Sequence, residues 1–273
     1  MPTRPVVSIL TDFGVRDPSG AICEGVILRI APDAAVIHIS HEVTKYAIRD
    51  GALMLWCAVP FLPVGAHMAV VDPGVGTARR PVAILTARGD FLVGPDNGLL
   101  LPAARRLGGV AAVHELTSKA HQLHPVSTSF HGRDIFAPAA AHLASGVPVA
   151  ELGPSLDPAN LADLVIPDAT PIEGGVASSV VYIDTFGNCK LAGLRADLEG
   201  SAGPMRAGRP IRVRAGDAPE QQLTWADTFG DVPVGEPMLY VDSYDRLTLA
   251  VNQGNAAERL ALSQDLPIRI QAE

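Results

Sequence analysis

The sequence predicts an α/β protein in two parts: an amino-terminal domain with a mainly parallel sheet flanked by helices, and a smaller carboxy-terminal all-β domain of barrel type. Three observations lead there. Short apolar runs alternate with segments of helical spacing from Val6 to Val71, and that β, α, β, α, β order builds a parallel sheet with covering helices. A stretch rich in proline and glycine, IPDATPIEGG at 166–175, interrupts the pattern. Beyond it the apolar runs are short and separated by turns, with no helix longer than a turn or two. The expected domains are 1–166 and 176–273, joined by a linker at 167–175.

Val6 to Leu10 reads as a buried strand that runs straight into Thr11-Asp12-Phe13-Gly14. Ser19 is the expected N-cap of a helix over Ala21–Ile30, which Pro32 ends. Ala35–Ile39 is a second strand, followed by a polar turn with His41 and Glu42, and Ile48–Val59 is a second helix that stops at Pro60. The third strand, His67–Val71, ends at Asp72 because Pro73 and Gly74 cannot continue a central sheet. Pro81–Val93 reads as a hairpin around Arg88-Gly89-Asp90, with the turn GPDNG after it. Leu99–Leu107 is helical, Val110–Leu116 a short strand, and Ile135–Ala144 a helix ended by Gly146. After the linker, strands are expected at Val176–Ile183, Ile211–Arg214, Met238–Val241, Leu247–Val251 and Ile268–Ile270.

The formal net charge of -8 over 273 residues argues against nucleic acid or an anionic membrane as partner, since both favour a basic surface. A small molecule is the expected ligand. The three cysteines, Cys23, Cys57 and Cys189, show no CxxC spacing and read as reduced thiols of a cytoplasmic protein. The start, MPTRPVVSIL, lacks the apolar core of a signal peptide, and no apolar run reaches the ~20 residues of a membrane span. No Cys and His cluster offers a metal site.

Two segments carry the chemistry. VVDPGVGTARR at 70–80 sets a carboxylate, Asp72, at a strand end, where α/β sheets bind ligands, and follows it with flexible glycines and the guanidinium of Arg79. SFHGRD at 129–134 adds the imidazole of His131. From spacing alone two readings stay open: an ion pair that ties down the glycine loop beside a core histidine, or a set that activates a nucleophile. Arg80 offers the same group as Arg79, and the sequence does not choose between them.

Together, TDFG at 11–14, VDPGVGT at 71–77, GPDNG at 94–98, FHGRD at 130–134, FGN at 186–188 and VNQGNAA at 251–257 resemble the S-adenosylmethionine hydroxide adenosyltransferases, or SAM hydrolases. That family is related to the SAM-dependent fluorinase and chlorinase. Each motif is weak alone, but six in register along one chain are specific. The resemblance implies a catalytic triad of Asp72, Arg79 and His131, and water or hydroxide attack on ribose C5' that releases adenosine and methionine, without cofactor or metal. It implies further contacts from Asp12 to the ribose, from Asp17 and Ser19 in the same loop, and from Tyr46, where the halogenases place a tryptophan. It also implies Phe186 and Asn188 on the adenine, Asp184 on the ammonium, Ser243 and Tyr244 on the methionine carboxylate, and Asn252 in the same pocket. The resemblance implies, too, a homotrimer with the site between the amino-terminal domain of one subunit and the β domain of the next, and the split of these contacts across the linker fits such a shared site. Two alternatives remain, a halogenase on the same scaffold and a noncatalytic SAM or adenosine binder. Asp72, where the fluorinase and chlorinase carry a tyrosine, and Gly132, where they carry a serine, both point to water.

Overall fold

Strand residues of the first sheet are apolar on both faces, and the fold explains why. The computed structural model describes residues 4–164 and 166–273. Its strands β1 (Val6–Thr11), β2 (Ala35–Ser40), β3 (Ala66–Val70), β4 (Pro81–Thr86), β5 (Phe91–Pro95) and β6 (Val110–Glu115) lie in the order β2-β1-β3-β5-β4-β6. β2, β1, β3 and β5 pair in parallel, whereas β4 runs antiparallel to both β5 and β6. Helical crossovers join β1 to β2 and β2 to β3 and so set those strands parallel; β4 reverses because the turn between it and β5 is too short for one, which brings β5 back parallel to β3. Side chains alternate along each strand. Ile9, Met68 and Val70 pack with α1 (Ser19–Ile30) and α4 (Ala137–Ala144), while Leu10, Ala69 and Val71 pack with α2 (Ile48–Ala58) and α3 (Leu101–Arg106). With helices on both faces, the strands read as continuous apolar runs.

Element boundaries differ from the sequence expectation where side chains compete for backbone groups. Ser19 is the first residue of α1, not its N-cap; its N–H and its hydroxyl both donate to Oδ1 of Asp17. Pro60 sits inside a 3₁₀ turn, Val59–Phe61, that extends α2. The helix expected from Ile135 begins earlier, as a π-helical turn over Gly132–Phe136 that leads into α4. Such turns insert an extra residue and re-aim nearby side chains.

The chain divides into two compact units, the second running from Val165 to Glu273. Its strands are β7 (Thr170–Ile172), β8 (Gly175–Ile183), β9 (Cys189–Leu194), β10 (Pro210–Ala215), β11 (Gln221–Trp225), β12 (Pro237–Val241), β13 (Arg246–Val251) and β14 (Pro267–Ala272). The circuit β8-β14-β10-β11-β12-β13-β9-β8 closes a seven-stranded barrel, antiparallel except between β11 and β12, with β7 paired outside it on β8. Trp225, Leu191 and Ile270 help fill its interior. Part of the stretch expected to link the domains is therefore sheet, because an edge strand tolerates Pro171 and Gly174 turns the chain at φ +67. β9 and β11 escape the sequence reading because Lys190, Gly193, Gln221 and Gln222 dilute their apolar pattern. α5 (Arg195–Ala202) and α6 (Ala256–Arg259) are no longer than about two turns.

Candidate active site

Asp72 stands just past the end of β3, beyond the buried Val70 and Val71. Asn97 of the GPDNG turn donates its Nδ2–H to the Val71 carbonyl at 2.9 Å and so fixes where the strand releases the chain. Arg79 returns to Asp72 across the glycine loop: its Nε donates to Oδ1 at 3.0 Å and Oδ2 at 2.9 Å, and its Nη2 also donates to Oδ2. The same Nη2 lies 2.8 Å from Nδ1 of His131. An arginine has only donors, so Nδ1 accepts and the imidazole carries its proton on Nε2. Both partners of the ion pair are nearly enclosed, the Arg79 side chain 9% exposed and that of Asp72 5%. The guanidinium also lies over the ring of Phe136, 5.1 Å from its centroid. Burial, then the Arg79 charge, lowers the His131 pKa below its ordinary 6.5, with Asp72 and Asp134 pulling the other way.

Two loops must meet for this contact, and one glycine lets them. Gly76, at φ +75, sits so close to the Thr128 carbonyl that a Cβ there would fall 2.4 Å from its oxygen. Asp134 holds the second loop, accepting from the Ser127 N–H at 2.8 Å through its side chain and from the Leu123 N–H at 2.9 Å through its carbonyl. Arg133 pairs with Asp134, and Arg80 turns to Asp96 and the Asn160 carbonyl. Of the two neighbouring arginines, it is Arg79 that joins Asp72 and His131.

Asp72 and His131 line a cavity of about 360 Å³ with Asp12, Phe13, Asp17, Ser19, Lys45, Tyr46 and Gly132 among its other walls. Asp12, 8% exposed, accepts the Tyr46 N–H at 2.9 Å through Oδ2, and its carbonyl accepts from Lys45. Tyr46 is left-handed at φ +64 and 71% exposed, a ring held out on the rim. Behind Asp12, Thr11 Oγ1 bonds His41 Nδ1 at 2.8 Å, and Glu42 accepts the Val15 N–H at 2.7 Å. Six of the seven site residues expected before the linker thus line one cavity, and the seventh, Arg79, joins Asp72 to His131 without being part of its lining.

A second cavity, about 670 Å³, opens in the other unit and is lined by Asp184, Phe186, Asn188, Lys190, Phe229, Tyr240, Asp242, Ser243 and Tyr244, among others. Asp184 organises its own turn. Its Oδ1 accepts the N–H groups of Phe186 (2.9 Å) and Asn188 (3.0 Å), and its Oδ2 accepts the Asn188 side-chain N–H at 2.9 Å. Phe186 is 76% exposed. Asn252 points elsewhere: its Nδ2 donates to the Val232 carbonyl at 2.8 Å, and only its neighbours Val251 and Gln253 reach the cavity wall. Sequence reasoning passed over Lys190, Tyr240 and Asp242, since nothing in an unrecognised strand marks a lone lysine. Among the described residues no group of three or more His, Cys, Asp or Glu side chains could hold a metal ion.

Models of the SAM hydroxide adenosyltransferase amino-terminal and carboxy-terminal domains match residues 7–153 and 178–269. The chain belongs to the SAM hydroxide adenosyltransferase family. Among its relatives, the (R)-S-adenosyl-L-methionine hydrolase of Salinispora tropica is 44% identical over the full length of both chains. A protein of the same name from Thermus thermophilus is 40% identical over 98% of this chain and 99% of its own. A fluorinase of Actinopolyspora mzabensis stands farther off, at 29% over 98% of this chain and 97% of its own. Among solved structures, an uncharacterized conserved protein from Thermotoga maritima superposes with a TM-score of 0.91 at 33% identity, covering 97% of this chain and 99% of that one. Within this family frame, the contact of Asp72, Arg79 and His131 gains a chemical setting.

Proposed function

We propose that this chain hydrolyses S-adenosyl-L-methionine to adenosine and L-methionine by attack of water on ribose C5'. The (R) epimer at sulfur, which its relatives' name specifies, is the form we assign to it. The observation that carries the reading is the bonded line of Asp72, Arg79 and His131 at the end of β3. As the oxygen of water bonds to C5', the bond from C5' to sulfur breaks, and sulfur takes its electron pair and departs as a neutral thioether. No acid is needed at the leaving group, so the protein's work is to place the water and accept its proton.

The geometry supports a division of these tasks. His131 accepts from Arg79 through Nδ1 and, with its pKa lowered, is neutral at pH 7, so it holds the guanidinium in position. Arg79, always cationic, favours hydroxide as it forms. Asp72 then takes the proton. Its carboxylate would repel a halide, and Gly132 leaves no easy place for a hydroxyl donor: a Cβ there would lie 3.0 Å from Phe13 Cζ. Both features favour water over chloride or fluoride.

Adenine on Phe186 and Asn188, ribose on Asp12, and a homotrimer that joins the first unit of one subunit to the barrel of the next complete the reading. Its support is that each unit carries an open cleft with an exposed aromatic on it, Tyr46 on one and Phe186 on the other. Light scattering that finds an active monomer removes the trimer. No helix among the described residues is long and apolar enough to cross a membrane, and we place the protein in the cytoplasm because none of its three cysteines forms a disulfide. Incubation with SAM in oxygen-18 water and excess chloride tests the reaction: labelled adenosine is expected, and 5'-chloro-5'-deoxyadenosine as the main product overturns it.

A further inference from the structure

Lys190 is the one basic residue lining the cavity of the second unit among the described residues. It projects from β9, with its side chain 12% exposed. Asp242 fixes it. The Oδ2 of Asp242 accepts from Nζ, while Oδ1 accepts the N–H groups of Tyr244 at 2.8 Å and Arg246 at 3.0 Å, so this 4% exposed carboxylate is held by its turn. The ammonium also stands 5.0 Å from the centre of the Tyr244 ring. An ammonium has three donors. Asp242 takes one, and the others remain for a ligand in the cavity.

The remaining lining groups say which ligand atom Lys190 suits. Asp184 and Asp242 are engaged by N–H groups of their own turns. Ser243 and Tyr240 offer hydroxyls, and burial raises the Tyr240 pKa to about 12, which keeps it a donor. Each of the two carboxylates on this wall already accepts from three N–H donors, which leaves the lysine with the two hydroxyls as the groups that can receive an anion. Lys45, on the wall of the first cavity, bonds the Asp12 carbonyl and stands among Asp12, Asp17 and Asp72, a poor setting for an anion. SAM carries one anionic group, its α-carboxylate.

We propose that Lys190 recognises the α-carboxylate of the amino-acid end of the substrate, making it a specificity residue for that end. The inference rests on SAM being the substrate. A charge-assisted hydrogen bond contributes about 1.5–3 kcal/mol, equal to roughly 10- to 150-fold. The test compares kcat/KM for SAM and for its decarboxylated analogue, S-adenosyl-3-(methylthio)propylamine, in the wild type, Lys190→Gln and Lys190→Arg. Wild type and Lys190→Arg are expected to prefer SAM by about tenfold or more, and Lys190→Gln by no more than about threefold. Were Lys190 only a prop for the Asp242 turn, Lys190→Gln would lose activity on both substrates in proportion and keep the wild-type ratio; that result overturns the proposal. So does a wild type that makes no distinction. Failure of the wild type to hydrolyse SAM rejects the reaction instead, and calorimetric affinities for the same two ligands then decide the Lys190 question. If Lys190→Gln does not fold, the two ligands are compared by their wild-type affinities and the Lys190→Arg ratio, and loss of preference in either overturns the assignment.

Discussion

The two cavities are built on opposite principles. In the first, the functional side chains bond to one another: Asp72 to Arg79, Arg79 to His131, and Asp12 to the backbone of Tyr46. In the second, the polar side chains mostly bond to their own turns, leaving an open cleft faced by Phe186, Phe229, Tyr240 and Tyr244. A preorganised, enclosed set of charges suits a step whose barrier depends on where a proton and a cation stand. An aromatic cleft with a few polar groups suits recognition. The comparison predicts that changes in the first cavity act on kcat and changes in the second on KM.

The largest effects are expected in the first cavity. Asp72→Asn, Arg79→Met and His131→Ala should each lower kcat by about 100-fold or more, with KM for SAM far less altered. Circular dichroism checks that each variant is folded, and steady-state kinetics gives the split. Because the three groups form one bonded line, a double variant such as Asp72→Asn with His131→Ala should lose far less than the product of the single losses. Near-normal turnover in all three folded variants would break the contrast at its strongest point.

Phe186→Ala sharpens the other half. An aromatic ring stacked on a base contributes about 1–3 kcal/mol, so KM should rise by roughly 5- to 150-fold while kcat stays within a few fold. Since Phe186 is 76% exposed within its unit, the substitution should leave the melting temperature nearly unchanged. A kcat loss as large as that of Asp72→Asn would mean that the second cavity takes part in the chemistry.

How much of this was legible in the sequence follows the same division. The strand that delivers Asp72, the glycine loop and the His131 segment are contiguous motifs, and a strand interrupted by Pro73 announces its own end. That Arg79 and not Arg80 meets His131 was not legible, because the choice depends on Asp96 and Asn160, residues remote in the chain that draw Arg80 away. In the barrel, Phe186 and Asn188 stood out through the FGN motif, but β9 and β11 carry too many polar residues to register as strands, so Lys190 went unnoticed. Asn252 shows the converse: a residue inside a matching motif whose side chain serves the fold.

A smaller effect concerns pH. Burial and Arg79 hold the His131 pKa below 6.5, so the neutral ring is the majority form at pH 6.5 and the protonated form takes over only under more acidic conditions. Protonation at Nδ1 sets one N–H against another from Arg79 and breaks the line. Activity should therefore decline as pH falls through the His131 pKa, which lies below 6.5. In Arg79→Met, which removes a cation that opposes protonation, the ring should titrate at higher pH than in the wild type, as NMR of the imidazole can follow. The linked stability has the same sign: with a folded pKa below the unfolded one, its contribution is present above pH 6.5 and lost as pH falls through the folded value. A His131 titration at or above 6.5 in the wild type would contradict this ordering.

The smallest effect on catalysis, and the sharpest division within the barrel, is expected at Asn252. The residue is 9% exposed, and its side chain donates to the Val232 carbonyl at 2.8 Å. Its backbone N–H meets Glu236, and its carbonyl accepts from Gly235. Asn252→Ala removes the side-chain bond and leaves the Val232 carbonyl without that donor, a loss of about 1–3 kcal/mol. That loss should appear as a lower melting temperature, with kcat and KM for SAM within about twofold of the wild type at temperatures where the variant is folded. Phe186 and Asn252 then become a matched pair in one unit, the first changing affinity without stability and the second stability without affinity. A KM increase at Asn252 comparable to that at Phe186 would place it among the ligand contacts and blur the line between cleft and scaffold that the hydrogen bonds draw.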